Sequence, residues 1–420
     1  MNVTASKFGI TLGLLSVYVC CPGTVVLSQA PARLALVGGT VYVSPEDAAI
    51  RDAVVLVENG RIAGVGNRRS TRIPGGSQII DCSGLTITAG FWNSHVHFFE
   101  RKWAHVLAIP AAELSRQLEE MLTRYGFTSV FEPGSMWTNT RNLLQRIESG
   151  EVAGPRIRST GEALVAPGAV PPDAVISALG YMTIRNHEIA DATQATAASK
   201  RLIAAGTDGI KVHLQPPPPP HPPLPSSAIE AAVNEAHRAG KPVFVHPTSG
   251  ADVLTAVGAG VDVIAHSTPS SGPWDQTILT AMKERRVALT PTLMVWKELL
   301  RHDRISTQEQ AVSTSIGQLR AWVASGGTVL FGNDLGAVAY DPTEEYTLMA
   351  QAGMNLRQIL ASLTTAPAER FGASAQLGRV AAGFVADLTV LRSDPSKDIR
   401  ALAAVQYTLR DGKVIYRASR

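Results

Sequence analysis

Eight apolar, strand-like runs alternate with helix-like stretches through most of this chain, and no other feature of the sequence narrows its fold so far. The runs lie at 86–98, 127–133, 155–160, 209–214, 242–247, 261–267, 287–293 and 328–334. Between and after them, apolar spacing near 3.6 predicts helices over 111–125, 138–148, 191–205, 229–239, 251–259, 276–285, 308–324 and 343–361. Strands that alternate with helices pair in parallel through crossovers, and a count of eight predicts a closed (β/α)8 TIM barrel over 88–373. In such a barrel the chemistry sits at the C-terminal ends of the strands.

The flanks read differently. Residues 34–43, 53–66 and 77–84 are β-rich, with Asn59-Gly60 as a hairpin signal, and 384–391 and 405–417 repeat the pattern around Asp411-Gly412. The expectation is an α/β protein whose two ends, 31–87 and 374–420, combine into one small composite β-sandwich domain. Residues 1–30 read as a signal peptide: Lys7 is the lone charge, an apolar run follows, and Ser28-Gln29-Ala30 supplies small residues for cleavage. That predicts export to the periplasm or outside the cell without stable membrane insertion after cleavage. Cys20, Cys21 and Cys82 are too few for a disulfide framework.

Composition bounds the function classes. Hydrophobic residues make up 45% and charged residues 17%, which excludes disorder. Lys and Arg number 38 against 35 Asp and Glu, a formal +3, which argues against a basic nucleic-acid-binding face. A small-molecule substrate is the expected partner, and a homo-oligomer stays open. One segment stands apart: 216–225 reads PPPPPHPPLP directly after the fourth run, a stiff polyproline stretch that is either a rigid surface loop or a wall at the mouth of the site.

The ends of the runs carry the chemistry. The first ends in His95-Val96-His97, and residues two apart on a strand face the same way. The fourth carries Lys211 and His213, the fifth ends at His246, the sixth at His266 and the eighth at Asp334. Each has an ordinary reading alone: a packed histidine, a snorkelling lysine, a turn aspartate. Together, at one end of a closed barrel, they form a set of imidazoles and a carboxylate suited to a divalent metal. Tyr181 and Arg185, after the third run, are candidates to pair with a substrate carbonyl or carboxylate, and His213 to touch substrate or metal. Glu132 reads as a structural or capping acid, and Trp137 and Trp274 as pocket or packing aromatics.

These motifs resemble the amidohydrolase superfamily of metal-dependent hydrolases. GFWNSHVHF at 90–98 is similar to its first-strand motif, and 243–268 to its fifth-to-sixth-strand unit. LFGNDLG resembles its eighth-strand aspartate motif, with Gly-Asn-Asp where Gly-Thr-Asp is more usual, and 364–391 resembles its return into the composite domain. The nearest branches are the imidazolonepropionase-like and Xaa-Pro dipeptidase-like members. The resemblance implies two divalent ions, with zinc expected. His95, His97 and Asp334 would hold one, His246 and His266 the other, and Lys211 would bridge them as a carbamate formed with carbon dioxide. Carbamate formation needs a neutral amine, the form that burial favours for any lysine. A hydroxide bridging the metals would attack an amide or C–N bond of a dipeptide, Xaa-Pro or N-acyl amino acid, with Asp334 as the proton shuttle. A mononuclear deaminase or cyclic-imide hydrolase on the same fold is the nearest alternative. A non-catalytic binding protein and a Schiff-base lyase at Lys211 are the others.

Overall fold

A computed structural model describes residues 33–169, 184–301 and 303–419. Residues 1–30, read from the sequence as a signal peptide, and Tyr181 lie outside them. Among the described residues eighteen strands run in chain order: β1 (Arg33–Val41), β2 (Ile50–Glu58), β3 (Arg61–Asn67), β4 (Gln78–Asp81), β5 (Thr86–Ala89), β6 (Phe91–Asn93), β7 (Phe127–Glu132), β8 (Arg156–Ser159), β9 (Leu164–Val165), β10 (His187–Glu188), β11 (Ile210–His213), β12 (Val243–His246), β13 (Val263–Ala265), β14 (Ala288–Thr290), β15 (Thr328–Val329), β16 (Leu388–Leu391), β17 (Val405–Arg410) and β18 (Lys413–Arg417).

The two ends of the chain join in one eight-stranded sheet, ordered β18-β17-β16-β5-β1-β2-β3 with β4 also on β1. The strands expected to form the composite β-sandwich domain are joined by hydrogen bonds into this one sheet. β1 pairs with β4 along its first half and β5 along its second, and its register slips around Gly38 and Gly39. Gly38 sits at φ +91°, a conformation that side chains resist. Both sequence-predicted hairpins form: Asn59 and Gly60 have φ +49° and +78°, Asp411 and Gly412 +52° and +72°, as a two-residue type I′ turn requires. Leu34, Leu36, Val55, Ile62 and Ile87 pack with Val380, Leu388, Val390 and Leu409 from the far end of the chain.

The central strands form two parallel sheets, β6-β7-β8 and β10-β9-β11-β12-β13-β14-β15. Backbone bonds just past the strand ends link them: Ser94 N donates to Phe331 O (2.7 Å) and Asp208 N to Ser159 O (2.6 Å). Trp92, Phe131, Phe244, Val263, Ala288 and Leu330, drawn from both sheets, pack as one cluster with Phe371 against it. The short pair β9 and β10 is an addition that the sequence did not signal, because two-residue strands carry no periodicity. The eighth run is strand only at Thr328–Val329.

Eleven helices follow among the described residues: α1 (Ala111–Met121), α2 (Trp137–Glu148), α3 (Ala192–Ala204), α4 (Ser226–Arg238), α5 (Gly250–Gly258), α6 (Gln276–Glu284), α7 (Val295–Leu299), α8 (Ile305–Ala324), α9 (Thr343–Gln351), α10 (Leu356–Leu363) and α11 (Thr365–Arg370). The helix expected over 343–361 is two helices. Gly353 at φ +92° ends the first, and Asn355 opens the second with a reciprocal cap to Gln358. Among the described residues no helix is long and apolar enough to cross a membrane.

Candidate active site

The strands stop short of the chemistry, and the turns beyond them aim it. β6 ends at Asn93, so His95 and His97 stand past the strand rather than on it, as the sequence had suggested. The chain there is held extended by the eighth segment: Asp334 N donates to His95 O (3.0 Å) and His97 N to Leu335 O (2.6 Å). The two imidazoles stay neighbours, with ring centroids 5.1 Å apart. Beneath them Asn93 Oδ1 accepts from His95 N (3.1 Å), and Asn93 Nδ2 donates to Asn333 Oδ1 (2.7 Å). Asn333 is thus an amide cross-link between the segments that carry His95 and Asp334, a use for the residue that departs from the more common threonine.

Lys211 and His213 lie on β11, with His246 on β12. The parallel register sets His213 opposite His246, and their rings stack at 4.9 Å and 7°. His266 follows β13 with φ +73°, and Asp334 has φ +61°. Such backbone is uncommon outside glycine and is found where the surrounding structure fixes a functional side chain. His266 lies 4.6 Å from both His95 and His246 by ring centroid. His97 Nε2 is 2.9 Å from Asp334 Oδ1, His95 Nε2 is 3.6 Å from the same oxygen, and His266 Nδ1 is 4.0 Å from Asp334 Oδ2.

All six side chains line one cleft of about 600 Å³, counted to its open mouth. Lys211 is buried in its wall. Around the polar floor stand Phe99, Ile184, Val295, Trp296 and Leu299. Phe99 stacks on His97 at 4.8 Å, and Trp296 is fixed by its indole N–H donating to Ser267 Oγ (2.7 Å). His213 also lines the cleft. Arg185 does not: it is exposed, while its neighbours Ile184 and Asn186 turn inward. Asn186 Oδ1 accepts from Ala163 N (3.0 Å), which sets that phase. The proline segment lines no part of the cleft. Trp137 and Trp274 are packing residues, their indoles bonded to Ala205 O and Thr268 Oγ1.

The electrostatics suit a cation. Burial, with Lys211 and the other imidazoles close by, holds His95 well below the ordinary imidazole range. Burial and Lys211 bring His246 down to about 3. Burial and His246 lower His266 and His213. Neutral imidazoles are the form that coordinates metals. His97 is the exception. Burial opposes its charge, but Asp334 and Glu132 outweigh burial and lift it to about 9. The two carboxylates thus favour the protonated His97 imidazole, a form that binds a cation only after giving up its proton. Glu132, read from sequence as structural, is fully buried, accepts from Ser159 Oγ (2.6 Å) and lies 3.6 Å from His97 Nδ1. His97 Nδ1 itself donates to Gly134 O (2.7 Å).

Buried polar atoms ordinarily find hydrogen-bond partners. Both ring nitrogens of His95 and His213 Nδ1 have none in the protein. His95, His266 and Asp334 each place one ligand atom within 4.8 Å of the others, a spacing that fits a metal ion.

The amidohydrolase family profile matches residues 86–416. The chain belongs to the amidohydrolase family. It is a hydrolase of carbon–nitrogen bonds with a small-molecule substrate. Solved structures agree with that placement. A Xaa-Pro dipeptidase with methionine bound in its active site superposes with a TM-score of 0.77 at 21% identity, over 92% of this chain and 100% of that one. A prolidase-like protein from Bifidobacterium longum gives 0.77 at 23% identity, over 93% and 96%. A prolidase in complex with N-methylphosphonate-L-proline gives 0.74 at 26% identity, over 92% and 100%. No curated protein sequence matches significantly.

Proposed function

We propose that this member of the amidohydrolase family uses two divalent cations, with zinc expected, to hydrolyse an amide bond in a dipeptide, Xaa-Pro or N-acyl amino-acid substrate. The observation that carries the reading is the convergence of His95, His97, Lys211, His246, His266 and Asp334 on one cleft. His95, His97 and Asp334 would hold one cation, and His246 and His266 the other. Lys211, buried in the wall of the same cleft, would join them as a carbamate: its neutral Nζ bonds the carbon of CO2 and releases a proton. Bound there, the cations supply Lewis acidity, which makes water nucleophilic at neutral pH and polarises the scissile carbonyl.

The chain's own residues do the rest. Asp334 accepts the proton that the attacking water loses and returns it to the departing amine. Phe99, Val295, Trp296 and Leu299 shield the reacting groups from bulk water and offer an apolar seat to the substrate. His213 faces the same space and contacts the substrate. The prolidase and Xaa-Pro dipeptidase resemblances support the choice of substrate class. The two parallel sheets, joined at β6 and sharing one interior cluster, are read as a (β/α)8 barrel over 88–373, with 31–87 and 374–420 as the composite domain. Residues 1–30 are read as an export signal.

A second reading has one observation in its favour. The compact set His95, His266 and Asp334 draws on both proposed groups, which suits a single cation and hence a mononuclear deaminase or cyclic-imide hydrolase. It leaves Lys211, buried among three histidines, without a role. A library of dipeptides, Xaa-Pro peptides and N-acyl amino acids, assayed beside cyclic imides and aminated heterocycles, separates the two. Turnover confined to the linear amides is expected. Turnover confined to the imides or heterocycles would overturn the proposal.

A further inference from the structure

Glu345 is a fully buried carboxylate that the proposed chemistry does not use. It lies on α9, and its side chain reaches the turn that follows β14. Oε1 accepts from Leu293 N (2.8 Å) and Oε2 from Met294 N (2.9 Å). Burial pushes the group up to about 8, opposed by those two N–H bonds. A buried acid of this kind disfavours folding unless its partners are good, so its place calls for a reason.

The turn it grips supplies one. Thr292 has φ +44°, a conformation that a β-branched residue adopts only under constraint. In that conformation Thr292 Oγ1 meets His266 Nδ1 at 2.7 Å, and His266 is itself left-handed at φ +73°. The same turn is tied from below, since Asn333 Nδ2 points at Met294 Sδ (3.9 Å) while Asn333 Oδ1 holds Asn93. Without an anchor on residues 293 and 294, Thr292 would relax toward negative φ and its hydroxyl would leave the imidazole.

We propose that Glu345 is the positioning residue for His266: by gripping the Leu293 and Met294 amides it holds Thr292 left-handed, so that Thr292 Oγ1 accepts from His266 Nδ1–H and Nε2 remains for a cation. The inference rests on the reading of His266 as a metal ligand. Partners that orient a ligating histidine in this way fix its tautomer, and removing one weakens metal binding by about 10- to 100-fold.

The experiment is made on the full chain with three variants, Glu345→Gln, Thr292→Val and the double change. Gln keeps the size of Glu345 but sets an amide N–H against a backbone N–H. Val keeps the shape of threonine and removes Oγ1. Two quantities are read. One is the zinc affinity by chelator competition; the other is the tautomer of His266 from its 15N-imidazole signals in zinc-free protein. The expected result is an Nδ1–H tautomer in the parent and mixed tautomers in both single variants. Zinc affinity falls about 10- to 100-fold in each, and the double variant is no weaker than the weaker single one. A thermal melt that drops while tautomer and affinity stay at the parent's values would assign Glu345 a purely structural role and overturn the proposal. So would losses that simply add in the double variant. The tautomer readout holds whether the parent binds one zinc or two, so a failure of the two-cation reading is distinguishable from a failure of this one.

Discussion

Lys211→Ala is expected to leave a folded protein with no more than one cation per chain and turnover lower by about 10²–10³-fold, the scale of losing one preorganised electrostatic group. Lys211 is buried in the cleft wall beside His95, His213 and His246. Burial and the Lys211 charge keep His95 and His246 neutral, and the same positive charge repels any cation held beside them. If Lys211 acted only through that charge, metal binding would be preserved in the alanine variant or even strengthened. If it acts as a carbamate, the variant loses an anion that two cations share. Formate or acetate can then enter the vacated space and restore part of both metal content and rate. Metal analysis with and without added acetate separates the two cases. Parent-level metal and rate in Lys211→Ala would remove the bridge.

Asp334→Asn is expected to lower kcat by about 10²–10⁴-fold, the range of lost general acid–base catalysis, with a much smaller loss of metal. The substitution suits this position, because asparagine accepts the left-handed φ of +61° better than most residues. The fold should therefore survive, and a thermal melt checks that. A second reading follows from the sign of the His97 shift. Asp334 is the foremost group that raises His97 against burial, so the neutral amide should drop the His97 pKa from about 9 toward or below the ordinary imidazole value. Less proton would then be displaced on metal loading. A variant with the parent's kcat would take the proton shuttle away from Asp334.

The sequence made the composite sheet and the meeting of six side chains in one cleft legible for physical reasons that differ. Asn59-Gly60 and Asp411-Gly412 announce their hairpins because few residues tolerate two successive positive φ values. Lys211, His213 and His246 stand where their strand positions put them. His95 and His97 reach the site by another route than the one read from the sequence, since β6 ends at Asn93 and the backbone of Asp334 and Leu335 takes over. The local pattern reports strand tendency, and the ladder's end depends on residues some 240 positions away. Arg185 was a fair candidate by charge, but the chain's phase turns Ile184 and Asn186 inward. Glu132, read as a structural acid, is buried against Ser159 with His97 Nδ1 3.6 Å away. Thr292, Trp296, Asn93 and Glu345 carried no signal that spacing could expose. The Gly-Asn-Asp departure at 332–334 was the one clue to the Asn93–Asn333 cross-link.

In the proposed centre six side chains hold a pair of cations joined through Lys211. Crystals grown with zinc, measured on both sides of the zinc absorption edge, test it most directly. Two anomalous peaks per chain are expected in the cleft, one beside His95, His97 and Asp334 and one beside His246 and His266, with density for a carboxylated Lys211 between them. A single peak held by His95, His266 and Asp334, with an unmodified lysine amine, would contradict it.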